Sequence, residues 1–161
     1  MGDLAPNFSI KVSKDSALSL ENLRGKYIIL YFYPKDSTPG CTIEARSFNS
    51  LKEDFSALGA EIIGVSKDPL TSHDKFRKNH SLQFHLGSDT SGDLCEKFGV
   101  WVEKSIFGMK YSRIERSTFL INPEGKFAYI WQSVSIWGHA KDVLKKLTEI
   151  KGIDTVSTVK Q

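Results

Sequence analysis

Cysteine is scarce in this chain: Cys41 and Cys95 are the only two among 161 residues. Two isolated cysteines build no disulfide framework and suit a reducing compartment. The residues three positions either side of Cys41 are Thr38 and Glu44, so the Cys-x-x-Cys pair of a thioredoxin-type dithiol reductase is missing. His73, His80, His85 and His139 fall at no metal-ligand spacing, which argues against a metal centre. A glycine-rich phosphate loop ending in Lys-Ser/Thr is lacking too. The longest apolar stretch, residues 27–33, is far too short to span a bilayer. Residues 1–6 carry neither a charged n-region nor an apolar h-region, and Pro6 stands where a myristoylation motif needs Ser or Thr. The cytoplasm is the expected location. No run of five like charges occurs, and the net charge of +3 comes from 22 basic and 19 acidic residues spread along the chain. Such a chain has no basic stripe for nucleic acid.

What is present reads as one soluble domain over residues 1–161, with 40% hydrophobic and 25% charged residues, large enough to bury a core without metal or disulfide support. Residues 8–20 alternate weakly around a turn at 13–16, which predicts an N-terminal β-hairpin. Residues 26–33 form a dense β-branched and aromatic run, the pattern of a central strand buried on both faces. A Pro- and Gly-rich turn over 34–40 leads into a helix whose apolar residues Ile43, Phe48, Leu51, Phe55 and Leu58 recur at helical spacing up to Gly59. A second buried strand is expected over 60–66, a charged helix over 69–80, a short strand over 84–87 and a short helix over 91–98. Strands at 118–122 and 126–132 flank the turn at Pro123, Glu124 and Gly125. A closing helix runs from about Trp137 to Ile150, and residues 155–161 look polar and frayed. The order implies an α/β fold, a mixed β-sheet flanked by helices, as in the thioredoxin-like fold. Fold alone leaves function open.

The chemistry concentrates around Cys41. Thr38 suits the cap of the following helix and Pro39 its first position, so Gly40 and Cys41 fall in the first turn, where backbone N–H groups lack partners. Those donors and the helix dipole favour thiolate over thiol, and cysteines so placed have pKa values from about 3.5 to 7.5. An activated nucleophile is one reading; a buried cysteine packing as a small hydrophobe is the other. A cysteine hydrolase with one of the four histidines as base also stays open at this point.

The stretch Tyr33-Pro34-Lys35-Asp36-Ser37-Thr38-Pro39-Gly40-Cys41-Thr42-Ile43-Glu44 resembles the active-site motif of peroxiredoxins of the bacterioferritin comigratory protein, or PrxQ, subfamily. The likeness covers nearly the whole chain, through Gly64-Val65-Ser66, Ser88-Asp89, Phe98 to Trp101, Ile114 to Ile121 and Gly138-His139-Ala140. It implies a thiol peroxidase acting on hydrogen peroxide and alkyl hydroperoxides, with Cys41 as the attacking thiol and Pro34, Thr38 and Arg116 completing the site. Pro34 would shield the thiolate, the Thr38 hydroxyl would donate to sulfur or accept from peroxide, and the Arg116 fork would stabilise the developing charge. Glu44, one turn after Cys41, would hold Arg116 in place or, as the plain alternative, sit exposed near the helix dipole. No cofactor or metal is implied, because sulfur itself undergoes the two-electron change.

The chain departs from the subfamily at the second thiol. The two positions at which relatives carry a resolving cysteine hold Arg46 and Arg77. Cys95 is the remaining candidate, on an amphipathic stretch that turns it toward the core. A one-cysteine cycle is therefore expected, with thioredoxin, glutaredoxin or a small thiol as reductant and a monomer as the working form. The alternatives are an atypical two-cysteine peroxidase using Cys95, and a non-enzymatic redox sensor or holdase. Trp101, Phe107, Trp131 and Trp137 read as core packing, with a rim for an alkyl hydroperoxide or a docking reductant as the alternative, and the four histidines as surface or loop residues.

Overall fold

The computed structural model describes residues 2–159. Its centre is a seven-stranded mixed sheet in the order β2-β1-β5-β4-β3-β8-β9, with β6 and β7 forming a separate two-stranded ribbon. The N-terminal hairpin is present as β1 (Ser9–Ser13) and β2 (Ser16–Ser19). The run expected to be central is β3 (Tyr27–Phe32), which lies between β4 (Ala60–Ser66), parallel to it, and β8 (Ser117–Ile121), antiparallel. Beyond β4 lies β5 (His85–Ser88), and beyond β8 lies β9 (Phe127–Trp131). The α/β architecture, with the hairpin at its edge, is the one the element order implied.

Side chains of β3 alternate between two cores. Tyr27, Ile29, Tyr31 and Tyr33 join one apolar cluster with Cys41, Phe48, Phe55, Phe76, Val143 and Leu147. Ile28, Leu30 and Phe32 join another with Leu94, Cys95, Phe98, Ile114 and Phe119. Successive strand residues point to opposite faces, so α1 (Pro39–Ser50), α3 (Leu70–His80) and α5 (His139–Val159) cover one face. The short α4 (Asp93–Lys97) covers the other. The two cysteines therefore lie on opposite sides of the sheet.

Close packing is visible at Gly64, which pairs with Tyr31 across β3 and β4. A Cβ there would meet the Tyr31 ring at 2.8 Å, so Tyr31 folds over a surface that only glycine provides.

Several expectations are corrected. The helix predicted to run unbroken to Leu58 divides at Leu51 into α1 and α2 (Lys52–Ala57). The closing helix runs past Ile150 and past the expected fraying at residue 155, to Val159; the last part of that expectation, residues 160–161, lies outside the described residues. The ribbon of β6 (Trp101–Ile106) and β7 (Met109–Ile114) was not foreseen. Almost all of its residues are exposed, so neither face carries an apolar alternation; its one local signal is the turn at Phe107 and Gly108, both at positive φ. Trp101, Phe107 and Trp137 are exposed rather than packed in the core, and only Trp131 is partly buried against it. His73 and His139 are buried rather than on the surface. No helix among the described residues is long and apolar enough to cross a membrane.

Candidate active site

Strand β3 ends at Phe32, and half-buried Pro34 follows Tyr33 at the start of the loop that delivers α1. Thr38 occupies the N-cap position and Pro39 the first helical position, as the sequence implied. The Thr38 side chain does not cap the helix, however. Its hydroxyl donates to the Lys35 carbonyl at 2.9 Å, which closes the loop on itself. With that hydrogen committed, the oxygen keeps its acceptor capacity; of the two roles foreseen for Thr38, accepting a hydrogen from peroxide stays available.

Cys41 sits in the first turn of α1 and is 1% exposed. Arg116, immediately before β8, reaches it from the strand beside β3. One guanidinium nitrogen, Nη2, donates to Cys41 Sγ at 3.2 Å, and Nη1 donates to Glu44 Oε1 at 2.6 Å. Arg116 thus bridges the sulfur and the carboxylate with two different nitrogens of one planar group, which a lysine cannot imitate. Gly40 lies directly under it: a Cβ there would be 3.4 Å from Arg116 Nη2 and 3.8 Å from the Ile136 side chain.

Glu44 is buried, not an exposed first-turn acid, with 1% of its surface accessible. Burial pushes its carboxyl up to about 7, and the neighbouring Arg116 charge pulls against that rise. Its second oxygen, Oε2, has no hydrogen-bond partner, so Arg116 alone compensates this carboxyl by hydrogen bonding. For Arg116, burial works against the charged form, but Glu44 and Cys41 outweigh it and its pKa moves up. The guanidinium is therefore a permanent positive charge beside the sulfur. Tyr31, whose ring stacks on Phe48, lies close enough that burial, Glu44 and Cys41 all raise its phenol well above the usual range.

Cys95 has a different environment. It is fully buried in the opposite core, and burial and the Asp89 carboxylate push its thiol far above the ordinary range. Such a sulfur is a poor nucleophile. Arg46 is exposed and Arg77 half-buried, with Arg77 Nε lacking a partner.

Arg116 thus brings Cys41 and Glu44 together, Pro34 and Thr38 lie on the loop that leads into the same helix, and Cys95 stands apart. Two further groups were not foreseen as partners. His139 is held by Thr118 Oγ1 at 2.7 Å and ringed by Phe48 and Trp131, and burial lowers it to about 4, so it is neutral. Asp36 and His73 form a buried pair at 2.7 Å. The signal for His73 was its place three residues before Phe76 on the single buried stripe of α3.

The chain is similar to known proteins over most of its length. Residues 1–130 match the model of the AhpC/TSA family. A putative peroxiredoxin bcp of Coxiella burnetii is 44% identical over 147 residues, covering 91% of this chain and 97% of that protein. Peroxiredoxin Bcp of Bacillus subtilis is 44% identical over 150 residues, covering 93% and 96%. Among solved structures, the Xanthomonas campestris bacterioferritin comigratory protein, described for trapped intermediate and ligand complexes in alkyl peroxide reduction, superposes with a TM-score of 0.85. It is 42% identical, with 88% of this chain and 90% of that one covered.

Proposed function

The chain belongs to the AhpC/TSA family and is a peroxiredoxin of the Bcp/PrxQ kind, and on that footing we propose that Cys41 is its peroxidatic thiol, in a cycle that uses no second cysteine of the chain. The contact that carries this reading is Arg116 Nη2 on Cys41 Sγ at 3.2 Å, braced by Nη1 on Glu44.

The Cys41 thiolate attacks the near oxygen of the peroxide. The S–O bond forms as the O–O bond breaks, and the far oxygen leaves with its electron pair, takes a proton and departs as water or alcohol. Arg116 stabilises the thiolate before attack and donates to the oxygens as negative charge moves onto the leaving one; this is preorganised electrostatic stabilisation. Thr38 Oγ1, with its own hydrogen on Lys35, is free to accept the peroxide hydrogen and aim the O–O bond along the line of attack. Pro34 keeps bulk water from the loop side. Glu44 fixes the guanidinium.

Sulfur ends as a sulfenic acid. One external thiol condenses with it to a mixed disulfide and water, and a second releases Cys41 while forming the disulfide of the reductant. Thioredoxin, glutaredoxin or a small thiol fits this role, and hydrogen peroxide and alkyl hydroperoxides fit the substrate role; alkyl peroxide reduction is the activity described for the Xanthomonas relative. Cys95 as resolver is disfavoured by its place across the sheet and by its protonated sulfur. The working form we propose is a cytoplasmic monomer. Cys41→Ser tests the assignment: thiol-dependent peroxide consumption should vanish, because a serine hydroxyl is neither ionised near neutrality nor comparably nucleophilic. Retention of the activity places the nucleophile elsewhere.

A further inference from the structure

Behind the loop that precedes Cys41 lies a buried polar cluster that the peroxide chemistry does not use. Asp36 is 5% exposed, and its carboxylate takes three contacts. Tyr33 donates to Oδ1 at 2.6 Å, Ser72 donates to Oδ2 at 2.8 Å, and His73 Nδ1 lies 2.7 Å from Oδ2. The other ring nitrogen of His73, Nε2, is 3.0 Å from the Gly87 carbonyl oxygen. A carbonyl only accepts, so Nε2 carries a hydrogen, and a second hydrogen lies between Nδ1 and the carboxylate. The Asp36 backbone N–H donates to Asp68 at 2.8 Å, and Asp68 takes the Ser66 hydroxyl at 2.6 Å. Ligand-type atoms of Asp36, Asp68 and His73 lie within 4.8 Å of one another, but each is already engaged in a hydrogen bond. The cluster is a clamp, not a cation site.

The clamp joins three elements: the β3–α1 loop through Asp36, α3 through His73 and Ser72, and β5 through Gly87. On the Cys41 side of Asp36 the loop passes Ser37, a non-glycine residue at φ 63, and then Thr38. A left-handed serine is a strained conformation that persists only when its surroundings hold it. The hydrogen bonds on Asp36 restrain that residue from one side and the Thr38 hydroxyl on the Lys35 carbonyl from the other.

We propose that His73 is a positioning residue for the peroxidase reaction: acting chiefly through Asp36 at 2.7 Å, with the Tyr33 hydroxyl farther off at 3.4 Å, it holds the loop that sets Thr38 and Cys41 in register with Arg116. This rests on Cys41 being the peroxidatic thiol. Reaction with peroxide needs sulfur, Thr38 and Arg116 aligned on one O–O bond, whereas alkylation by iodoacetamide needs only an accessible thiolate. Loosening the clamp therefore lowers the first rate selectively.

The test compares, for Cys41, the second-order rate with hydrogen peroxide and the alkylation rate with iodoacetamide, the latter read by mass spectrometry of the Cys41 peptide. His73→Leu should lower the peroxide rate at least about tenfold, as a displacement near 1 Å does, with alkylation not falling, since a looser loop leaves the 1%-exposed sulfur no less reachable. His73→Asn places an amide nitrogen where Nδ1 stands and should recover most of the loss. His73→Leu added to Asp36→Ala should cost nothing beyond Asp36→Ala alone, since a residue acting through one partner is not additive with it. An unchanged ratio of the two rates in His73→Leu, a parallel fall of both, or additivity in the double variant overturns the proposal. Should His73→Leu not fold, Ser72→Ala removes one hydroxyl from the same carboxylate oxygen; its ratio should fall, and an unchanged ratio overturns the clamp equally. Loss of turnover in Cys41→Ser alongside an unmoved ratio in the His73 variants would leave the peroxidatic assignment standing and remove only the clamp.

Discussion

Replacing Arg116 by alanine is the most informative single change, because one side chain serves both the sulfur and the Glu44 carboxylate. A unit charge 3.2 Å from Sγ is worth about 5 kcal/mol at an effective dielectric of about 20. The full amount is not lost, because two charges leave together. Burial already raises Glu44 to about 7; without the guanidinium it takes up a proton, and its negative charge near the sulfur disappears as well. The expected loss is that of one preorganised donor, about 3 to 4 kcal/mol, or 100- to 1000-fold in rate. Stopped-flow consumption of hydrogen peroxide measures it, with circular dichroism to show that the variant is folded. Arg116→Lys should recover only part of the rate, since one ammonium cannot occupy both the Nη1 and Nη2 positions. Rates within about threefold of wild type in both variants would refute the reasoning and leave Arg116 a structural charge.

Cys95→Ser should keep most of the peroxidase activity with dithiothreitol, measured by steady-state peroxide loss; a collapse of turnover would make Cys95 a resolving thiol. Glu44→Gln tests the buried carboxyl through stability. With its folded pKa raised to about 7, Glu44 contributes stability that is fully present below its unfolded value and is lost as pH rises through the folded one, at most about 3 kcal/mol. Urea unfolding at pH 5 and pH 8 should therefore show a fall for wild type that Glu44→Gln lacks, and equal falls in both proteins would contradict this. Gly64→Ala should destabilise the fold by about 1 to 3 kcal/mol through overpacking against Tyr31, seen as a lower urea midpoint at unchanged slope; an unshifted midpoint would mean the ring moves aside freely.

The parts of the fold legible in the sequence are those whose cause is local. Strand β3 is buried on both faces and shows as an unbroken apolar and aromatic run, β4 shows the apolar core Ile62, Ile63 and Val65 behind a single acid at Glu61, and the β8–β9 turn announces itself through Pro123 and Gly125. The division at Leu51 was hidden because Leu51 and Phe55 keep the helical spacing across it. The β6–β7 ribbon was hidden because exposure on both faces leaves no apolar period to read. In the site, Thr38, Pro39 and Cys41 could be placed from capping rules alone. Arg116 could not: it is 75 positions from Cys41 and 72 from Glu44, and only the resemblance to a family singled it out. Asp36 lies in the quoted motif and His73 on the buried stripe of α3, but nothing in the sequence pairs the two across 37 positions. The exposed Trp101, Phe107 and Trp137 show the converse: large aromatic side chains default to the core in a composition-based reading, and the strand and loop that carry them have no core to face.

The central claim is that peroxide oxidises Cys41 and that no second cysteine of this chain resolves it. Mass spectrometry of the protein after one equivalent of hydrogen peroxide, without added thiol, tests it most directly. The account predicts one oxygen on the Cys41 peptide, trapped as a sulfenic acid by a dimedone-type reagent, with Cys95 still a free thiol and excess peroxide driving Cys41 on to the sulfinic and sulfonic states. A disulfide joining Cys41 to Cys95 formed at the catalytic rate, or oxygen on Cys95 in place of Cys41, would contradict it.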